Sequence, residues 1–181
     1  MPYHIERKGN ERLNSKKPSF GYRWIAVLSI LLFTNGQSMA QTPADDVYVA
    51  PQRFFVQKLA EDVKAKHPEI MYLNLRTIPP GRTESFKVAS SPPSRGGKSD
   101  AEDLQVEHTG KPIVEQVKDA PHEFRVLLPL RERPGTIIGN IAIRMKLAEG
   151  QTTADALKLG EKINRELQNG ITSKEKLFSP A

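Results

Sequence analysis

Ile70-Met71-Tyr72-Leu73-Asn74-Leu75-Arg76-Thr77-Ile78, followed by Pro79-Pro80-Gly81, is the segment that decides the architecture. Apolar Met71, Leu73 and Leu75 alternate with polar or amphipathic Tyr72, Asn74 and Arg76, and a period of two marks a strand whose faces meet different surroundings. The Pro-Pro-Gly run turns the chain back. A second strand is predicted over residues 85–90, Ser-Phe-Lys-Val-Ala-Ser.

Upstream, Phe55, Leu59 and Val63 recur every fourth residue among Lys58, Glu61, Asp62 and Lys64, which predicts a long amphipathic helix over residues 50–66. Pro68 stops it near His67, because proline lacks a donor and disfavours helical geometry in its predecessor. Downstream, the Pro- and Gly-rich stretch 92–98 resists regular structure. Ser99-Asp100-Ala101-Glu102 has the spacing of a capping box, so a short helix is expected from Ser99 to about His108, closed by Gly110. Strands are predicted over 113–117, 123–130 and 137–146, the last two as a hairpin. Thr152-Thr153-Ala154-Asp155 opens a final helix with Leu159, Ile163, Leu167 and Ile171 on one face, ending near Gly170. The sum is an α+β domain: a five-stranded antiparallel sheet with a long N-terminal helix, a short mid-chain helix and a C-terminal helix.

The domain is expected to span 50–171, after a flexible linker at 41–49 and before a frayed tail at 172–181. Residues 1–40 read as a cleavable export signal, with Arg7 through Arg23 as its basic part, an apolar run from Trp24 to Phe33 and the small-residue end Ser38-Met39-Ala40. The apolar run is about half the roughly twenty residues that a membrane span requires, so cleavage before Gln41 and a periplasmic or secreted product are expected, with no membrane attachment afterwards. The signal also carries most of the chain's net charge of +6. It holds six of the 27 basic and two of the 21 acidic residues, which leaves 21 against 19 beyond it. A nearly balanced mature chain gives no ground for a nucleic-acid partner. There is no cysteine, which excludes disulfides, thiol catalysis and thiolate-bound metals.

Several segments together carry a resemblance. Lys87-Val88-Ala89-Ser90-Ser91, the loop Arg95-Gly96-Gly97-Lys98-Ser99-Asp100, Asp103-Leu104, Thr109-Gly110-Lys111, Leu128-Pro129-Leu130 and Gly135-Thr136-Ile137-Ile138-Gly139-Asn140-Ile141 resemble, in order and spacing, the extracytoplasmic Cache domains. The likeness covers residues 50–147. It implies a PAS-like sheet behind a long N-terminal helix, and sensing of a small ligand. The chain departs from the pattern where Arg95-Gly96 stands in place of an Ile, and it is expected to be a free-standing version without the receptor's second span.

The residues themselves favour binding over catalysis. No Gly-x-Ser-x-Gly elbow occurs, and the Gly96-Gly97-Lys98-Ser99 run lacks the spacing of a phosphate loop. His67, His108 and His122 follow no metal-ligand spacing, so neither a metal nor another cofactor is expected. Arg76 and Arg125 lie mid-strand. A strand arginine usually faces solvent; if that face lies instead beneath the mid-chain helix, the two guanidiniums could clamp a carboxylate. Tyr72, Asn74, Ser90, Leu127 and Asn140 would complete such a pocket. Asp103 suits the first turn of a helix through the helix dipole, or alternatively holds a ligand amine. The expected partners are thus a small ligand, a carboxylate or an amino acid, and an unidentified envelope protein; the rival reading is a ligand-free interaction module.

Overall fold

The computed structural model describes residues 46–94, 96–133 and 135–181. The expected export signal and its cleavage point lie outside them. In chain order the elements are β1 (Val47–Tyr48), α1 (Phe55–Lys66), β2 (Ile70–Thr77), β3 (Phe86–Ser91), β4 (Gly96–Gly97), α2 (Ala101–Thr109), β5 (Ile113–Gln116), β6 (Glu123–Arg131), β7 (Ile137–Lys146), α3 (Thr153–Gly170) and α4 (Lys174–Leu177). Five of the strands form one antiparallel sheet in the order β3-β2-β7-β6-β5, while β1 and β4 pair separately. The expected α+β class and five-stranded sheet are present.

The alternation of β6 sorts the helices between the two faces. Val126 and Leu128 abut Gly160 of α3, where a Cβ would lie 2.9 Å from the Val126 side chain, whereas Arg125 reaches across the opposite face to Glu102 of α2. α1 packs beside α3 on the first face. Covered on both sides, β6 buries Phe124, Val126, Leu127, Leu128 and Leu130 in near-continuous succession.

Several expectations about the elements are corrected. The helix before the sheet is 12 residues rather than long, because Phe54 has extended backbone and is bridged to Pro180, so helical geometry starts only at Phe55. Its buried residues are Val56, Ala60 and Val63, so Val63 faces the core as expected while Val56 and Ala60 take the places expected for Phe55 and Leu59. The longest helix is α3, with 18 residues. In β2 an irregularity between Ile70 and Tyr72 puts Ile70 rather than Met71 into the core beside Leu73 and Leu75.

The cap of α2 is Asp100, not Ser99. Asp100 Oδ1 accepts from the N–H groups of Glu102 and Asp103 at 3.0 and 2.9 Å, and Asp103 Oδ2 accepts from Asp100 N–H at 3.0 Å. Ser99 is committed elsewhere, its N–H to Ser85 O at 2.9 Å and its hydroxyl to Ser85 Oγ at 2.9 Å. Gly110 closes the helix at φ 68°, as its position predicts.

The segments on either side of the domain are structured. Val47–Tyr48, placed in the expected linker, pairs with Gly96–Gly97, where a Cβ on Gly96 would collide with the Tyr48 carbonyl. The expected frayed tail forms α4: Leu177 is fully buried, and Phe178 meets Phe54 edge-on at 5.5 Å. Two apolar anchors suffice to dock a short terminal segment. Among the described residues no helix is long and apolar enough to cross a membrane.

Candidate functional site

The face covered by α2 gathers polar groups that the strand pattern left undecided. Arg76 lies under α2, as the covered alternative required, but its anion is internal. Its Nε is 3.0 Å from Oδ2 of Asp103, a side chain only 1% exposed, and Nη1 donates to the carbonyls of Lys98 and Gly97 at 3.0 and 3.3 Å. Arg125 behaves alike: Nη1 pairs with Glu102 and, at 3.0 Å, with Glu115 on β5. Both guanidiniums thus face carboxylates of the chain itself, although Arg76 Nε, buried beside Asp103, makes no well-aligned hydrogen bond among the described residues.

Asn140, opposite Arg76 in the β2–β7 register, is fully buried and donates from Nδ2 to Glu107 Oε1 at 2.8 Å and to the Asp103 carbonyl at 3.3 Å. Its Oδ1 has no partner among the described residues. Ser85 Oγ donates to the same Glu107 oxygen at 2.7 Å. Burial pushes the Glu107 carboxyl above the usual carboxylate range, against hydrogen bonds from Ser85 and Asn140. Asp103 is likewise raised, by burial first, with Arg76 opposing. Tyr72 is 47% exposed and Asn74 half-buried, and the structure brings neither to this cluster; Leu127 belongs to the core.

Ser90 belongs elsewhere. It lines a cavity of about 310 Å³ at the β3 edge, with apolar walls from Val47, Val88, Ala89 and Pro93 and a roof from β1. Ser90 Oγ accepts from Ser94 N–H at 2.7 Å and sits 3.1 Å from Ser94 Oγ. Lys87 Nζ donates to Ser94 Oγ at 2.7 Å. Burial, and then the Arg76 guanidinium, hold the Lys87 ammonium below the ordinary lysine range. No carboxylate pairs with Lys87 among the described residues, in contrast to Arg76, Arg125 and Lys98. A partly buried lysine with no carboxylate partner among the described residues, at a cavity with apolar walls, is the feature that sequence reasoning missed; the only signal was a lysine inside a β-rich segment.

A second cavity, of about 220 Å³, opens between α2 and the β2–β3 connection and is lined by Ile78, Ser85, Ser99, Leu104, Glu107 and His108. Among the described residues no group of three or more His, Asp or Glu could hold a metal ion.

No protein-family model matches the chain, and no curated protein does. Among solved structures it is similar to a protein described as a GAF sensor from Burkholderia vietnamiensis. The two are 17% identical, the match covers 64% of this chain and 74% of that one, and the TM-score is 0.46. So slight a likeness carries no weight for function, which has to be read from the cavities themselves.

Proposed function

We propose that the chain is a small-molecule-binding domain whose ligand is a short carboxylate seated in the β3-edge cavity. The observation that carries this reading is Lys87, a partly buried ammonium that has a serine hydroxyl beside it and no carboxylate partner among the described residues. A carboxylate supplies the missing charge, accepts from Lys87 Nζ and from the hydroxyl of Ser94, and lays its aliphatic part on Val47, Val88 and Ala89. Such a pocket, mostly apolar with a few convergent polar groups, is the usual form of a small-ligand site. Export and cleavage of residues 1–40 belong to the same reading, which makes the domain a secreted sensor or carrier rather than an enzyme.

The test is calorimetric and thermal-shift titration with short monocarboxylates, from acetate to hexanoate, and with amino acids. A ligand at about one hundred times its Kd adds roughly 2.7 kcal/mol of stability. The expected result is a response in the wild type that Lys87→Met abolishes and Arg125→Ala leaves in place. A response that survives Lys87→Met overturns the assignment of the site. No response across the panel favours a ligand-free interaction module.

A further inference from the structure

Glu107 is the converse of Lys87. Both hydrogen bonds it receives, from Ser85 Oγ at 2.7 Å and Asn140 Nδ2 at 2.8 Å, end on Oε1, and Oε2 has no donor among the described residues. The cations nearby face carboxylates other than Glu107: Arg76 lies beside Asp103, and Lys98 beside Glu84 at 2.8 Å and Asp46 at 3.4 Å. The neighbouring acceptor Asn140 Oδ1, on a fully buried side chain, also lacks a donor. Two acceptors on adjacent side chains thus want hydrogen, and one of them lines a cavity of about 220 Å³.

We propose that the cleft between α2 and the β2–β3 connection is a second binding site, for a small primary ammonium group that pairs with Oε2 of Glu107. An ammonium has three donors and no acceptor, which suits a carboxylate oxygen left open on the wall of the cleft. A cleft of about 220 Å³ is of a size for a small amine. Ile78 and Leu104 on its wall accept a short methylene chain, and the hydroxyl of Ser99, which donates to Ser85, retains lone pairs for a ligand hydroxyl. The site is separate from the β3-edge cavity and does not depend on the carboxylate reading.

The experiment is a thermal-shift and calorimetric titration with propylamine and ethanolamine, with tetramethylammonium, which has no N–H donor, and propanol, which has no charge, as controls. Primary amines should raise the melting temperature while the two controls do not, and Glu107→Gln should weaken amine binding at least tenfold. Lys87→Met should leave it unchanged, which keeps failure here distinct from failure of the carboxylate site. Glu107→Asp, which keeps the charge but withdraws it by one methylene, should also weaken binding, and serves if the Gln variant folds poorly. An equal response to tetramethylammonium, an undiminished response in both Glu107 variants, or no amine response in the wild type overturns the proposal.

Discussion

Oδ2 of Asp103 lies 3.0 Å from Nε of Arg76 and 3.0 Å from the backbone N of Asp100, so one carboxylate oxygen both neutralises a strand arginine and closes the cap of the helix above it. This ties α2 to β2 at a point where neither group has much access to water. Removing one partner of such a pair strands the other charge, which typically costs about 3–5 kcal/mol. Asp103→Ala and Arg76→Ala should each lower unfolding stability by roughly that amount. The double variant should lose much less than the sum, because the stranded charge is gone. Urea unfolding of the four proteins measures the cycle, and strict additivity would show that the two side chains do not interact.

Two glycines in one hairpin should respond differently to alanine. At Gly135, φ is 127° and nothing lies near the position of a Cβ, so Gly135→Ala carries only backbone strain, about 1 kcal/mol. At Gly139 a Cβ would collide with the backbone carbonyl of Arg76 across the β2–β7 ladder, and no side-chain movement relieves a clash with backbone. Gly139→Ala should therefore cost more, about 3 kcal/mol, within the overpacking range for a tight interior. Thermal melts of the two variants test the order, and a larger loss at Gly135 would contradict it.

The last ten residues should matter for stability. Leu177 is fully buried, and Phe178 stacks edge-on against Phe54, so the tail covers the start of α1. Leu177→Ala should cost about 2–5 kcal/mol, as buried Leu-to-Ala changes do. Truncation after Thr172 should cost at least as much and make Phe54 accessible to solvent. Hydrogen exchange across α1 would register the change; an unaltered exchange pattern in the truncated chain would return the tail to the frayed state that its composition suggests.

The sheet was legible because its signal is local. Alternation in β2, continuous apolar character in β6 and β7 and turn residues between them each act within a few positions, and together they define the five strands. What was not legible depends on contacts distant in sequence. The start of α1 is set by the bridge from Phe54 to Pro180, and the order in α4 by the fit of Leu177 and Phe178 against the domain. Ser99 and Asp100 present nearly equal capping signals, and only the bonds from Ser99 to Ser85 decide between them.

The candidate site shows the same division. Alternation grouped Arg76 with Tyr72 and Asn74 and left open whether the strand arginines met solvent, the usual case, or the mid-chain helix; both reach carboxylates of α2. It could not show that Asp103, Glu102 and Glu115 would reach them first, since pairing across elements has no sequence period. Lys87 and Glu107 stand out only through the cavities they line. Ser90 was singled out with the α2-facing residues but lies in the β3-edge cavity, beside Lys87 rather than Arg76.

Glu107 and Glu166 should give the pH dependence of stability opposite signs. Glu107 is raised by burial, so the folded state holds its proton to a higher pH than the unfolded chain does. Stability from this group is therefore fully present below the unfolded pKa and is lost as pH rises through the folded one. Gln mimics the protonated form while keeping an oxygen for Ser85 and Asn140. Glu107→Gln should thus raise the melting temperature at neutral pH, with a gain that fades on acidification. Glu166 is lowered, first by its hydrogen bond to His67, whose Nε2 lies 3.0 Å from Oε2, and further by Lys162 and Lys66. Its contribution is present above the unfolded carboxylate pKa and is lost as pH falls through the folded one. Glu166→Gln should therefore lower the melting temperature at neutral pH, and that loss should fade on acidification as the wild type gives up the same contribution. Melting curves of the three proteins from pH 3 to 8 separate the two effects: the variants should diverge to either side of the wild type at neutral pH and converge on it in acid. Variants displaced from the wild type in the same direction, or by amounts independent of pH, would mean that neither carboxylate is linked to folding in the way its surroundings dictate.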